Sequence, residues 1–149
     1  MINARAETVD TLNFYKKPFR EQRCLIPASG FYEWKTEGKQ KTKFYFHRKD
    51  TDLFAFAGLY SVWHSPDGKE IPSYTIITTT PNKTVKAVHD RMPVILKRED
   101  EDTWLNPDIQ EPEHLKAFLV PYADSEIEAY PVASGVKKAS DSVTKPNSE

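Results

Sequence analysis

The sequence predicts a β-rich α+β fold in a single domain. Its length of 149 residues is typical of one domain that buries about two-thirds of the surface of its unfolded chain. Residues 41–47 alternate between apolar and polar side chains, and residues 53–63 and 74–80 are apolar or β-branched runs. Both patterns are typical of strands, whereas the segments with a helical pattern are short.

Composition limits the class of protein. Hydrophobic residues make up 38% and aromatic residues 12% of the chain, which indicates a folded globular protein. The single cysteine, Cys24, excludes an internal disulfide and a cysteine-cluster metal site, and is typical of a reducing compartment. No apolar run is long enough to span a membrane, and the N-terminus lacks the apolar core of a secretion signal. We therefore expect a cytoplasmic protein.

Turn residues divide the chain into short elements. Predicted strands occupy residues 23–26, 31–34, 41–47, 53–63, 74–80, 92–96 and 126–132. Predicted helices occupy residues 10–22, with an interruption near Pro18, and residues 83–88, 99–105 and 113–119. Asn82 is expected to cap the second helix, and Gly58 to mark a close approach or a bulge. Residues 1–132 are assigned to the domain and residues 133–149, which are polar, to a loose tail.

The most informative stretch is Arg23–Trp34, which reads RCLIPASGFYEW. Two strand-like runs in it are separated by a break at Pro27 and a turn at Gly30. Glu33 lies between Tyr32 and Trp34, and these large rings are expected to exclude water from its carboxylate. Such burial disfavours the charged form and tunes a glutamate for proton transfer. The alternative is a solvent-facing Glu33 on a half-buried strand.

A second stretch, Val88–Leu96, places His89 directly before Asp90 and Arg91. The predicted helix over residues 83–88 carries His89 at its C-terminal end, where the helix dipole favours a protonated imidazole. A histidine titrates near neutral pH and a glutamate can be shifted toward it, so Glu33 and His89 would form an acid–base pair if the fold brought them together. The remaining histidines are isolated and are assigned no ligand role: His47, His64 and His114.

Basic charge is concentrated in the first third of the chain. Residues 1–49 contain 11 Lys and Arg against 5 Asp and Glu, whereas residues 50–149 contain 10 against 17. Aromatic residues are interleaved with the basic ones, a pattern that suits a nucleic-acid strand through phosphate contacts and base stacking. The alternative is that the lysines only solvate strand edges. Asn3 and Arg5 face the same way if their segment is extended, and together they suit a phosphate.

Three ordered segments resemble the signature of a known family. They are Asn3–Thr8 (NARAET), Arg23–Trp34, and His89–Val94 (HDRMPV). They are similar to the signature segments of the SRAP family, the SOS response-associated peptidases or abasic-site processing proteins, and the resemblance extends from residue 1 to about residue 132. It implies an SRAP-like fold, in which short helices flank a barrel-like mixed sheet. The chain contains no phosphate-binding glycine loop and no HExxH pattern, so we expect no cofactor and no metal.

The resemblance also implies roles for individual residues. Family members sense abasic sites in single-stranded DNA, where an N-terminal cysteine attacks the ring-opened sugar and its thiol and α-amine close a thiazolidine. The residues matching Glu33 and His89 assist ring opening, proton transfer and reversal of the cross-link, and the residue matching Asn3 positions the N-terminal group. Those matching Arg5 and Arg91 hold DNA phosphates. The same cysteine is released by self-processing, which implies a peptidase activity.

The sequence departs from the family pattern at its start. It begins Met1-Ile2-Asn3, without the family's opening Met-Cys-Gly-Arg segment. Cys24 cannot replace the missing cysteine, because its nitrogen is part of an amide and its neighbours indicate burial. We therefore expect this chain, as written, to form no stable adduct with an abasic site. The alternatives to an enzyme are a non-covalent single-stranded DNA-binding module and an inactive fragment.

The expected partner is single-stranded DNA that contains abasic sites, bound by a monomer that is nucleoid-associated and has no membrane contact. Asn3, Glu33 and His89 are expected to surround one cavity. Trp34 is expected to line a groove together with Arg5 and Arg91, and to stack on a base or sugar.

Overall fold

A computed structural model describes residues 2–133 of the chain. The predicted tail lies outside the described residues, except for Ala133. The strands are β1 (Ile2–Arg5), β2 (Arg23–Ala28), β3 (Phe31–Glu37), β4 (Gln40–Arg48), β5 (Phe54–His64), β6 (Glu70–Thr79), β7 (Met92–Pro93), β8 (Ile95–Leu96) and β9 (Ile127–Val132). The helices are α1 (Asn13–Glu21), α2 (Lys83–Lys86), α3 (Glu101–Leu105) and α4 (Pro112–Lys116), with 3₁₀ turns at Arg98–Asp100 and Asp124–Glu126. The predicted strand-rich α+β class is confirmed.

The chain divides into two compact units, which are described separately. The first comprises Met1–Ile26, Ala55–Thr79 and Pro93–Val120, and the second comprises Pro27–Phe54, Thr80–Met92 and the chain from Pro121 onward. The assignment of residues 1–132 to one domain stays a prediction. Within residues 2–133, no helix combines the length and the apolar character needed to cross a membrane.

A six-stranded mixed sheet forms most of the first unit. Its strands are ordered β1-β6-β5-β2, with β7 paired to β6 and β8 paired to β5. β1 runs parallel to β6, from Ile2 opposite Thr75 to Arg5 opposite Thr78, whereas β5 and β6 are antiparallel. The predicted close approach at Gly58 is confirmed, because a Cβ there would lie 2.6 Å from the Ile26 side chain.

Two proline predictions were wrong. Pro27 does not break its strand, because β2 continues to Ala28. β2 is the last strand in the sheet order, and Pro27 is exposed on it. An edge strand tolerates a proline because the residue does not need to donate a hydrogen bond to a neighbouring strand. Pro18 does not interrupt its helix either. α1 is continuous through Pro18. The missing N–H of Pro18 leaves only the carbonyl of Phe14 without its helical partner, and Phe14 is exposed. The next residue, Phe19, is fully buried.

The predicted strand over residues 92–96 is two short strands. Val94 lies between them and bonds to both neighbours, since its N–H donates to the Ile77 carbonyl (2.8 Å) and its own carbonyl accepts from Ala57 (2.9 Å). The segment therefore pairs with β6 before Val94 and with β5 after it. An apolar run in the sequence does not reveal this change of partner.

The core of the first unit is built on one side of its sheet by small residues from β1, larger ones from β5 and β6, and side chains from the helices. Its fully buried members include Val9, Phe19, Leu59, Ile77, Trp104 and Leu115. Phe19 of α1 and Trp104 of α3 contact each other with ring centroids 6.1 Å apart. These helices are short, so their stability depends on this packing rather than on intrinsic propensity.

Arg23 is buried beside this core, and its guanidinium is hydrogen-bonded by main-chain carbonyls. Nε donates to Trp104 O (2.6 Å), and the terminal nitrogens donate to the carbonyls of Phe19 (2.9 Å), Arg20 (2.8 Å), Asn106 (2.7 Å) and Ile109 (2.7 Å). These carbonyls lie at the C-terminal ends of α1 and α3 and in the loop that follows, where the negative end of a helix dipole attracts a cation. Arg23 thus joins three segments at one point.

The second unit contains an antiparallel sheet in the order β3-β4-β9. Glu33 lies opposite Phe44, and Trp34 lies opposite Lys43. Because strand side chains alternate, one face carries the odd-numbered residues of β3 with Phe44 and Phe46, and the other carries Tyr32 and Trp34. Phe46 is fully buried and stacks on Phe31, with centroids 5.0 Å apart.

Replacing Arg23 by lysine (Arg23→Lys) should lower the free energy of unfolding by about 2–4 kcal/mol, because an ammonium group cannot reproduce the planar set of bonds to five carbonyls. Urea unfolding followed by circular dichroism measures the change. Arg20→Lys, on the exposed side of α1, is the matched control and should change stability little. Equal stability of the Arg23→Lys variant and the parent protein would contradict the role given to Arg23.

Candidate functional site

Helix α2 places His89, as the sequence predicts. Asn82 caps the helix, with its Oδ1 accepting from the N–H of Val85 at 2.9 Å. Beyond the C-terminal end of α2, the His89 N–H donates to the Val85 carbonyl at 2.8 Å, which fixes the main chain of His89 against the helix.

A second set of bonds anchors α2 to the segment before β9. The Asn82 side-chain amide donates to the Tyr122 carbonyl at 2.8 Å, and the Thr84 hydroxyl donates to the Asp124 carbonyl at 3.3 Å. The Asp124 carboxylate accepts from the Lys83 N–H at the start of the helix. The sequence signalled the Asn82 cap but not Asp124, because a contact between residues so far apart has no local pattern.

The structure brings Glu33 and His89 together. His89 Nε2 lies 3.6 Å from Glu33 Oε1, an ion-pair distance. On the other side of the ring, His89 Nδ1 lies 3.3 Å from both the N–H and the carbonyl oxygen of Arg91, so these contacts are compatible with either tautomer of the neutral ring. Asp90 Oδ1 is 3.6 Å from Nδ1, but its side chain is almost fully exposed.

Burial raises the pKa of the Glu33 carboxyl above its ordinary value. The positive charge of His89 and a hydrogen bond from the Trp34 N–H oppose this rise in pKa, and the negative charge of Asp90 adds to it. The raised pKa agrees with expectation, but its predicted origin was wrong. The rings of Tyr32 and Trp34 lie on the opposite face of the sheet from Glu33, which shares its own face with Phe44.

This arrangement is suited to moving protons. Glu33 is 28% exposed and His89 38% exposed, so both reach solvent or a ligand while remaining partly desolvated. A carboxyl with a raised pKa keeps its proton at higher pH than an ordinary one, so more of it is available as a general acid, and an adjacent imidazole can exchange that proton. Among residues 2–133, no group of three or more His, Cys, Asp or Glu side chains is placed to hold a metal ion.

The other predicted site residues lie in different places. Asn3 and Arg5 are both exposed on the same side of β1 in the first unit, since Ala4 between them is buried. Trp34 is 44% exposed in the second unit, on the face opposite to Glu33, and Arg91 is half-buried next to His89. Their roles in binding stay predictions.

Cys24 is half-buried and lies close to Gly58, with its Sγ 3.1 Å from where a Gly58 Cβ would be. Burial raises the pKa of the Cys24 thiol, which leaves less of the nucleophilic thiolate at neutral pH. These properties favour a packing role.

Comparison with known proteins gives a family match over most of the chain. The family model for SOS response associated peptidase (SRAP) matches residues 1–139. The abasic site processing protein YoqW of Bacillus subtilis is 48% identical over 135 residues, which cover 90% of this chain and 60% of YoqW. The abasic site processing protein HMCES of Xenopus tropicalis is 34% identical, over 70% of this chain and 37% of its own length.

A solved structure has a similar fold. A crystal structure of a protein from Bacteroides thetaiotaomicron superposes with a TM-score of 0.85 at 33% identity, covering 89% of this chain and 58% of that one. The chain thus spans about 60% or less of the length of these relatives and of this solved structure.

The charges around Glu33 predict opposite shifts for two substitutions. His89→Gln should raise the pKa of Glu33, because it removes the positive charge that favours the carboxylate. Asp90→Asn should lower this pKa, because it removes a negative charge. Carbon-13 NMR titration of the Glu33 carboxyl measures both shifts, and shifts of the same sign would contradict the arrangement.

The same raised pKa predicts a pH-dependent effect on stability. Folding disfavours the ionised form of Glu33, so this carboxylate reduces stability at pH values above its folded pKa, and the reduction disappears as the pH falls through that pKa. Glu33→Gln should therefore raise the urea midpoint at neutral pH, with a gain that shrinks as the pH is lowered. A gain that grows on acidification would exclude a buried, destabilised carboxylate.

Proposed function

The chain belongs to the family of SOS response associated peptidases, and on this premise we propose that it acts on abasic sites in single-stranded DNA, as part of DNA repair. The relatives named above are abasic site processing proteins. The observation that carries the proposal for this chain is the Glu33–His89 pair, with its 3.6 Å separation and its partly buried carboxyl.

The proposed reaction step is opening of the abasic sugar. The closed sugar is a hemiacetal, and opening it breaks the bond from C1′ to the ring oxygen, with transfer of a proton from the C1′ hydroxyl to that oxygen. Glu33, with its raised pKa, supplies the proton to the ring oxygen, and His89 accepts the proton of the hydroxyl. The products are an aldehyde and a free hydroxyl. The proton taken up by His89 then returns to Glu33, 3.6 Å away, which restores both groups.

The remaining roles follow from the resemblance. In the family, the residues matching Arg5 and Arg91 hold phosphates and the one matching Asn3 positions the N-terminal group, and we assign Trp34 to stacking on a base or sugar. The covalent step of the family uses an N-terminal cysteine, and the proposal for this chain concerns the steps that its own residues carry.

A second candidate function is non-covalent binding of single-stranded DNA. The observation that favours it is the exposed Trp34, which lies near the ammonium group of Lys43, with Nζ 5.8 Å from the ring centroid. A ring beside a cation suits a base next to a phosphate.

Ring opening can be measured separately from the covalent step. The 149-residue chain should accelerate the reaction of an alkoxyamine with an abasic oligonucleotide, because this reagent captures only the open aldehyde. Glu33→Gln should reduce the acceleration by about a hundredfold, the usual contribution of a general acid. The matched control is Glu70→Gln, which changes an exposed pair with His64 at 3.7 Å. Equal losses in both variants, or no acceleration by the parent, would reject the proposed step.

Trp34→Ala should weaken binding to single-stranded DNA about tenfold or more, because one stacked base is worth about 1–3 kcal/mol, and it should leave the thermal midpoint nearly unchanged. Fluorescence anisotropy and thermal unfolding measure these effects. Trp63, unlike Trp34, lies in the first unit and is also exposed, so Trp63→Ala is the control and should bind like the parent. A collapse of the thermal midpoint with intact binding would make Trp34 a core residue.

A further inference from the structure

The three-stranded sheet has a second face that the Glu33–His89 pair does not use. Cross-strand partners lie on the same side of a sheet, so the register places Tyr32 opposite Tyr45, Trp34 opposite Lys43, and Tyr45 opposite Tyr130 on one face. We call this the aromatic face, and its residues are Tyr32, Trp34, Lys43, Tyr45, His47 and Tyr130.

The rings of the aromatic face form a connected surface across all three strands. Tyr45 is at its centre, with its ring centroid 4.9 Å from that of Tyr32, 5.7 Å from that of Tyr130 and 5.8 Å from that of His47. Ser29 makes a hydrogen bond to the Tyr45 hydroxyl, which restrains this ring. The surface is therefore held in place before any ligand binds, which lowers the entropy cost of binding.

Exposure and charge on this face favour an anionic ligand with flat rings. Tyr130 is 47% exposed and Trp34 44% exposed, at opposite edges of the sheet. Lys41 and Lys43 precede Tyr45 on the same face of β4, and Lys43 Nζ lies 4.4 Å from the Tyr32 centroid. Glu128, the one acidic residue of β9, is within ion-pair distance of His47 (3.4 Å).

We propose that the aromatic face, which is opposite to the face that carries Glu33, is a binding platform for undamaged single-stranded DNA. Bases stack on the rings of Tyr45 and Tyr130, and Lys41 and Lys43 contact the phosphates. Stacking tolerates any base because every base has a π-face, so the platform binds without sequence preference. The inference rests on the proposed function in one respect, which is that DNA is the ligand.

The platform gives the protein a longer footprint than a single damaged nucleotide. Glu33 and Trp34 are adjacent in β3 but point to opposite faces of the sheet. A DNA strand that passes the edge of β3 therefore meets both the Glu33–His89 pair and the aromatic face. Binding of the flanking, undamaged nucleotides on the aromatic face would hold the protein on single-stranded DNA.

The test is fluorescence anisotropy of labelled oligothymidines of increasing length, without abasic sites, with the 149-residue chain. Affinity of the parent should rise with length until the aromatic face is covered. Tyr130→Ala should lower the affinity for the longest oligonucleotide about tenfold and abolish most of the gain with length. Tyr130→Phe keeps the ring and should bind like the parent. Tyr74→Ala removes a tyrosine of the same 47% exposure from β6 of the first unit, and should also bind like the parent.

The outcomes separate the platform from the proposed function. Loss of binding in Tyr130→Ala, with an unchanged thermal midpoint and intact alkoxyamine acceleration on a short abasic oligonucleotide, supports the platform. If the parent does not accelerate the alkoxyamine reaction, the proposed function is rejected. The binding of oligothymidines still decides whether the aromatic face binds DNA. Equal binding by Tyr130→Ala and parent overturns the platform. Sedimentation that shows a dimer dissociated by Tyr130→Ala, with no effect on DNA, overturns it in favour of a second copy of the chain.

Discussion

The buried guanidinium of Arg23 is the constraint on which the first unit depends. Five main-chain carbonyls surround it, from the ends of two helices and the loop after α3. Among the described residues, the ion pairs include none to Arg23. The dipoles of these carbonyls stabilise its charge, together with the Trp104 ring, whose centroid lies 5.4 Å from Arg23 Cζ. Burial lowers the pKa of the guanidinium, which nevertheless stays protonated because its ordinary pKa is so high. Displacing any of the three segments would leave a buried charge short of acceptors, and this cost keeps them together.

The second unit separates two tasks by the alternation of one strand. Glu33 faces Phe44 and meets His89, while its neighbour Trp34 faces Lys43 and belongs to the aromatic face. A single residue of register shift would exchange the two faces, so the pairing of β3 with β4 is a condition for both proposed roles. Gly30 helps to fix this pairing, because a side chain there would collide with Tyr45 and with the Phe46 carbonyl.

Burial and the charge of His89 have opposite effects on the pKa of Glu33, and the properties of the acid–base pair depend on their balance. Burial alone would raise the pKa of Glu33 further, and the neighbouring imidazole limits that rise. The position of His89 is in turn set by Asn82 and Asp124, which hold α2 to the segment before β9. The geometry of the Glu33–His89 pair therefore depends on hydrogen bonds made by other residues.

The sequence by itself determined the local features of this protein. Side-chain alternation predicted β4, Asn82 predicted the cap of α2, and three motifs predicted the family. It could not determine that Pro27 lies on an edge strand or that Val94 changes partners, because both depend on which strand lies alongside. It also named Glu33 and His89 separately, yet only the tertiary structure decided that they meet and that Trp34 faces away. Such contacts are set by sheet register and helix anchoring, which join residues far apart in the chain and leave no periodic signal within it.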